Sequence, residues 1–298
     1  MNGLETAAFG SVFNNIDRKW PLLDPICQSA DCEWPQFNTL GVCLDVRNIT
    51  DDLNVTETFG SGGIENRQLN TVALRNSTAV LMEQEPYIEA VLQAVNITSL
   101  KPDFSLIAGE DSNATFPFPR TSYSFESDRG LLGTAFSQLV MIYNNPIVGF
   151  RNSSSRYRAA EILLHFCVHT LDVKVNQGES STKSVRSYTN VTASQRSTVS
   201  INGNGQKGYF ELSSADGEDH FRLIDFVDFG QLDDNFGRAF SGYYTSLPLA
   251  EQQGEITRQL GLNMYQGVTL ETSMQDTDTM VWENLGKALD TIGVSMTN

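Results

Sequence analysis

The segment from Ala159 to Val175 constrains the fold more than any other part of the chain. Ile162, Leu164, Phe166 and Val168 alternate with Leu163, His165, Cys167 and His169, and Leu171, Val173 and Val175 continue one face. Successive side chains of a strand point to opposite faces, so a run that is apolar at both parities reads as a long strand covered on both sides. A buried helix is the rival reading, because a continuous apolar run does not fix the period. Gln177-Gly178 follows as a turn.

Around this segment the pattern is mixed. Thr71 to Met82, Tyr87 to Val95, Phe104 to Ala108 and Tyr209 to Leu212 read as strands separated by polar stretches. Ser180 to Ser200 is rich in Ser and Thr and reads as a loop or weak strands. Phe221 to Phe240 fits helix or strand. Val281, Trp282, Leu285, Ala288, Leu289 and Ile292 place an amphipathic helix over Thr279 to Met296. Leu4, Ala7, Ala8, Val12 and Phe13 predict another over Leu4 to Ile16. Gly130 to Phe150 is uncharged and long enough to span a bilayer. Ser137, Gln138, Asn144, Asn145 and Pro146 interrupt it, and Leu132, Phe136, Leu139, Val140 and Tyr143 fit one helical face. It therefore reads as an amphipathic helix ending near Asn144-Asn145-Pro146. The expected fold class is α+β: one β-rich domain over residues 1–298, with N-terminal and C-terminal helices. At 298 residues and 40% hydrophobic content such a domain has ample core.

The formal net charge of -16 argues against nucleic-acid binding, since an acidic chain repels phosphate backbones. The charge is uneven. Residues 211–298 hold 15 acidic and 4 basic side chains, whereas residues 151–210 hold 3 acidic and 8 basic. The basic middle reads as packing against acidic flanks rather than as a ligand patch.

The first residues show neither the basic nor the apolar region of a signal peptide, which alone predicts a cytosolic chain. Two features oppose that. Seven Asn-x-Ser/Thr sequons occur, at Asn48, Asn54, Asn76, Asn96, Asn113, Asn152 and Asn190, all in the first two thirds of the chain. The four cysteines, Cys27, Cys32, Cys43 and Cys167, are an even set that fits two disulfides in an oxidising compartment. Four cysteines allow three pairings, and spacing alone leaves all three open. The Cys27/Cys32 spacing also fits half of a zinc site, but no second close pair follows.

No motif names a reaction. Gly203-Asn204-Gly205-Gln206-Lys207-Gly208 fits G-x-G-x-x-G, yet the strand-like Tyr209-Phe210-Glu211-Leu212 follows it, so it reads as a turn rather than a dinucleotide loop. His165, Cys167 and His169 share one strand face, where a metal needs a further element; a disulfide-bonded cysteine between core and edge histidines is the preferred reading. Gly-x-Ser-x-Gly is absent, and Phe59-Gly60-Ser61-Gly62-Gly63 reads as a flexible loop. Asp216, Glu218, Asp219, Asp225, Asp228, Asp233 and Asp234 offer carboxylates for glycosidase-type chemistry without discriminating among them. No cofactor and no metal ligand set is expected.

The block from Cys27 to Cys43 carries a family resemblance. Cys27-Gln28-Ser29-Ala30-Asp31-Cys32-Glu33-Trp34-Pro35-Gln36-Phe37 and Leu40-Gly41-Val42-Cys43, with the sequon at Asn48, resemble the ectodomain of a family of uncharacterised filamentous-fungal membrane proteins, a domain of unknown function. Ala160-Glu161 through Cys167-Val168 and the closing Ser295-Met296-Thr297-Asn298 are similar to two further family blocks. The resemblance implies membrane spans outside this chain and an extracellular location. Two family cysteines are missing here, at Val46 and Ile162. Their joint loss implies that those two positions bond each other in the family. It leaves Cys27–Cys32 and Cys43–Cys167 as the implied pairs.

The expected function is thus a non-enzymatic, glycosylated extracellular domain of a fungal integral membrane protein. It would sense or bind an unidentified extracellular ligand or protein at the cell surface. The alternative is a carboxylate-dependent hydrolase acting on carbohydrate. A cytosolic protein, the third reading, would hold four reduced thiols and no glycans.

Overall fold

The computed structural model describes residues 25–59, 68–74, 80–82, 88–94, 124–125, 128, 131, 135–144, 157–188, 191–192, 199–200, 206–207, 209–213, 217, 219–224, 240, 242–245, 255–267 and 274–297. In chain order the strands are β1 (Cys32–Glu33), β2 (Phe37–Asn48), β3 (Leu53–Phe59), β4 (Gln68–Leu74), β5 (Val80–Met82), β6 (Ile88–Ala94), β7 (Ala135–Asn144), β8 (Tyr157–Asn176), β9 (Glu179–Tyr188), β10 (Val191–Thr192), β11 (Val199–Ser200), β12 (Gln206–Lys207), β13 (Tyr209–Ser213), β14 (His220–Ile224) and β15 (Gly242–Thr245). Helices α1 (Glu255–Met264) and α2 (Met274–Thr297) follow. The described residues are thus strand-rich, with two helices at the C-terminal end.

Strand β8 is the axis. Its 20 residues extend for about 66 Å at 3.3 Å per residue. β2 pairs with it over Ala160 to Leu171, β7 over Tyr157 to His165, and β9 over Val168 to Asn176, all antiparallel. Since β2 overlaps both of the others, it lies on one edge while β7 and β9 share the other. β1 continues the β2 edge at Lys174 and Val175, and β6 and β15 extend the sheet beyond β7. Every one of the odd residues from Tyr157 to Val175 is buried, and so are Ala160, Ile162, Leu164 and Val168 among the even ones. Here the sequence reading of a strand covered on both sides holds.

The even face is covered by helices. Ala160, Ile162 and Leu164 join Val42, Leu139, Met141 and Tyr143 of the neighbouring strands. Against them pack Leu260 and Met264 of α1, and Val281, Leu285, Ala288, Leu289 and Ile292 of α2. The α2 residues recur at helical spacing, which is why its apolar stripe was legible. Burying Tyr143 here raises its phenol above its ordinary value, with the Asp278 charge adding to the effect. Arg158 of β8 pairs with that Asp278 at 2.5 Å and ties the helix to the sheet. Gly293 marks the closest approach: a Cβ there would lie 3.1 Å from the Val42 carbonyl oxygen and 2.9 Å from Leu44. Asn284 donates to the Met264 and Gln266 carbonyls at 3.1 and 3.0 Å, capping the end of α1 from α2.

At the β7 end of the odd face, Val140, Ile142, Tyr157 and Ala159 pack with Ile49 and Leu74 beneath the β3–β4–β5 sheet. The Ile49 amide donates to the Ala159 carbonyl at 3.0 Å, and the Ala159 amide donates to Thr50 Oγ1 at 3.1 Å. At the far end, Gln177 and Gly178 both hold positive φ, 53° and 81°, and close the β8–β9 hairpin in two residues. Asp31 Oδ1 accepts the Gln177 amide and the Ala30 carbonyl accepts the Gly178 amide, each at 2.8 Å. The Cys27–Cys32 loop thereby clasps the hairpin tip.

The structure corrects the reading of the segment before β8. Ala135–Asn144 is a strand, not an amphipathic helix. Leu139, Met141 and Tyr143 face the helices while Val140 and Ile142 face away, and all five are buried. A two-sided core strand places apolar residues at every position, so some of them inevitably match helical spacing. Two smaller differences follow. Thr71 to Met82 contains two strands rather than one, and Glu179–Tyr188 is a ten-residue strand despite its Ser and Lys content, with one register shift against β8 at Val185. Tyr209–Ser213 is a strand as expected, and His220–Ile224 settles the start of the Phe221 to Phe240 stretch as strand. The expected helix over Leu4 to Ile16 and the expected strand over Phe104 to Ala108 lie outside the described residues.

Candidate functional site

Between its two apolar ends, the odd face of β8 carries a polar stripe. The antiparallel register sets Arg47 opposite Glu161, Asp45 opposite Leu163, Cys43 opposite His165, Gly41 opposite Cys167 and Thr39 opposite His169. Residues of equal parity on paired strands share a face, so these side chains converge.

Glu161 is fully buried. Its Oε2 accepts the Ser124 amide at 2.8 Å and the Ser124 hydroxyl at 2.5 Å, and its Oε1 accepts the Gln138 side-chain amide. Those bonds offset the cost of taking a carboxylate out of water. Arg47 closes the network: it donates to the Ser124 carbonyl at 2.5 Å, pairs with Asp128, and lies 4.2 Å from the Phe125 ring centroid. Gln138 Oε1 and Ser137 Oγ, by contrast, are buried with no hydrogen-bond partner among the described residues.

Asp45 and His165 form the next pair, Oδ2 to Nε2 at 2.8 Å. His165 is 2% exposed, whereas the Asp45 side chain is 46% exposed and reaches solvent. The bond to His165 holds the Asp45 carboxyl below its ordinary value, against the opposing effect of burial; the His165 and Arg47 charges add to the lowering. His165 Nδ1 also approaches the Phe166 carbonyl at 3.2 Å.

The bridge comes next. Cys43 and Cys167 are disulfide-bonded across 124 residues of sequence, and Cys27 and Cys32 across 5. These are the pairs that the resemblance implies. Val46 and Ile162, the two positions at which the resemblance implies a further bridge, are direct cross-strand partners. His169 Nε2 lies 3.4 Å from Cys167 Sγ and 3.7 Å from Cys43 Sγ. Its Nδ1 contacts Ser187 Oγ at 2.7 Å and Ser184 Oγ at 3.3 Å, both on β9. Burial lowers the His169 imidazole from its ordinary value, while a hydrogen bond with the Val42 main chain raises it in part.

His165, Cys167 and His169 thus share one face, with Cys167 in a disulfide between two buried histidines. The sequon asparagines Asn48 and Asn54 are both exposed. Asn48 Oδ1 accepts the Thr50 amide at 2.9 Å, leaving Nδ2, the nitrogen a glycan takes, outside that bond. Asn76, Asn96, Asn113, Asn152 and Asn190 lie outside the described side chains. Of the acidic run, Asp219 accepts from the Asn38 side-chain amide at 2.8 Å; Asp216, Glu218, Asp225, Asp228, Asp233 and Asp234 lie outside the described residues. Gln206 and Lys207, within the Gly-rich segment, pair antiparallel with Ser200 and Val199 as a short strand, whereas a dinucleotide loop would lead into a helix. Asp45, Arg47, Gln138 and Glu161 are the stripe residues that the sequence did not single out.

Fold and site together define a strand-rich domain with two C-terminal helices, locked by two disulfides of the kind formed in an oxidising extracellular or secretory environment. No described helix is long and apolar enough to cross a membrane. No protein-family model matches the chain, and no curated protein or solved structure matches it.

Proposed function

We propose that this chain is a glycosylated, non-enzymatic extracellular domain of a fungal integral membrane protein, which binds a ligand or protein partner at the cell surface. The observation that carries the reading is the Cys43–Cys167 bridge, which ties β2 to the long strand β8 across 124 residues of sequence and has its Cys167 end fully buried. A disulfide there requires an oxidising compartment during folding. The exposure of Asn48 and Asn54 is consistent with that route. Membrane attachment would come through spans outside this chain, as the family resemblance implies. The hydrolase alternative needs a carboxylate that meets substrate. Glu161, the most enclosed carboxylate of the stripe, is fully buried and bonded to Ser124 and Gln138, a structural rather than a catalytic setting.

Secretion from a eukaryotic host, followed by intact mass measurement with and without reductant and glycosidase, tests the reading. The expected result is a gain of four hydrogens on reduction and a loss of glycan mass on digestion. Four free thiols and an unmodified mass overturn it.

A further inference from the structure

The contact between His169 and the Cys43–Cys167 bridge has no role in the secretory reading. Both sulfurs and the His169 ring nitrogen lie within 4.8 Å of one another. We propose that reduction of this disulfide converts Cys43, Cys167 and His169 into a zinc-binding site with one open coordination position.

The distances carry the inference. Tetrahedral zinc with Zn–S near 2.3 Å and Zn–N near 2.0–2.1 Å has N···S edges of about 3.6 Å. The two observed N···S distances are 3.4 and 3.7 Å. Two of the three edges of the ligand triangle are therefore already set. Only the sulfurs, bonded to each other in the oxidised form, have to separate, and they do so on paired strands that β7, β9 and α2 hold in place. The ring is also oriented as metal-binding imidazoles are. Ser187 and Ser184 engage Nδ1, which leaves Nε2 turned toward the sulfurs. Cys167 and His169 are buried while Cys43 is half-buried, so the remaining position opens on the Cys43 side. Two thiolates and one imidazole suit zinc, and three protein ligands leave the fourth place to water.

The chemistry balances. A dithiol reductant supplies two electrons and two protons; the Cys43–Cys167 bond breaks, two thiols form, and the reductant closes to its own disulfide. Zinc then displaces both thiol protons to solvent, and the His169 ring gives up its hydrogen bond to the Val42 main chain and carries its one proton on Nδ1, donated to Ser187 Oγ, so that Nε2 is free for the metal. The site does not depend on glycosylation or on membrane attachment, so it stands or falls separately from the proposed function.

The test uses the full chain carrying Cys27→Ser and Cys32→Ser, so that only one cysteine pair remains. The protein is reduced anaerobically with a phosphine, freed of reductant and titrated with Co²⁺. Expected are a thiolate-to-cobalt charge-transfer band and the visible bands of tetrahedral cobalt, saturating at one ion per chain and bleached by Zn²⁺; the oxidised protein gives neither. His169→Gln in the same background, checked for native circular dichroism when oxidised, weakens binding at least ten-fold, and Ser184→Ala with Ser187→Ala weakens it about ten-fold. A reduced, natively folded chain without these bands overturns the proposal. So do bands in the oxidised protein, an affinity unchanged by either replacement, or loss of native circular dichroism on reduction, which would separate the ligands.

Discussion

On one face of β8, Ala160, Ile162 and Leu164 meet the hydrocarbon of α1 and α2; on the other, Ala159 and Leu163 alternate with Glu161, His165 and Cys167. Both faces are buried, but by different means. The helix-covered face is held by burial of apolar area, which is non-directional and tolerates exchange among residues of similar size. The polar face is held by bonds between named atoms: Glu161 to Ser124 and Gln138, Asp45 to His165, Cys43 to Cys167. Those bonds fix register. A slip of one residue between β2 and β8 would turn Glu161 and His165 into the hydrocarbon beneath α2, at the cost of burying polar groups without partners. The apolar face thus stabilises without fixing a register, and the polar face selects one alignment.

Three comparisons probe that contrast. The largest effect is expected from the bridge. Replacing Cys43 and Cys167 together with Ser removes a 124-residue cross-link and should lower unfolding free energy by about 4–5 kcal/mol, against about 2 kcal/mol for the short Cys27–Cys32 loop. Urea midpoints of the two double variants measure the difference; equal losses would show that the polar face does not depend on its covalent tie. Next, Leu285→Ala on the helix side should cost about 3 kcal/mol through the cavity it leaves. Glu161→Gln, which keeps the shape but weakens a charge-assisted acceptor, should cost about 1–2 kcal/mol. The reverse order in denaturant titrations would make the polar face the main source of stability. The smallest effect is the pH response of Asp45. Its carboxyl is lowered in the folded state, so its contribution is fully present above the ordinary value of 3.8 and is lost as pH falls through the lower folded value. The stability gap between the native chain and Asp45→Asn should be small at neutral pH, because Asp45 is half exposed, and should vanish on acidification.

Much of the framework was legible because it is local. The apolar run of β8, the turn at Gln177-Gly178 and the stripe of α2 each lie within one stretch of sequence, where period and turn chemistry are visible. β7 was misread because its side chains are buried on both faces, which removes the alternation that distinguishes strand from helix. The polar stripe was legible only at His165, Cys167 and His169, which share one strand. Asp45 and His165 are 120 residues apart, Arg47 and Asp128 81, and Ser124 and Glu161 37. No pattern within a short window brings such pairs together; strand register does. A Glu inside an otherwise apolar run was the one local sign that a polar partner waited across the sheet.

The position of β8 between a near neighbour and a distant one also orders the folding reaction in time. β9 reaches β8 through a two-residue turn, a closure of the kind completed in microseconds. β2 must return from the other side of a loop of more than a hundred residues, and such non-local pairings form slowly because loop closure precedes the contacts that reward it. During that interval the hairpin exists with one edge of its longest strand bare. Nascent chains would spend that time as the species most prone to edge-to-edge association. Oxidation of Cys43 with Cys167, which the β2–β8 pairing brings side by side, would mark the end of that exposed period.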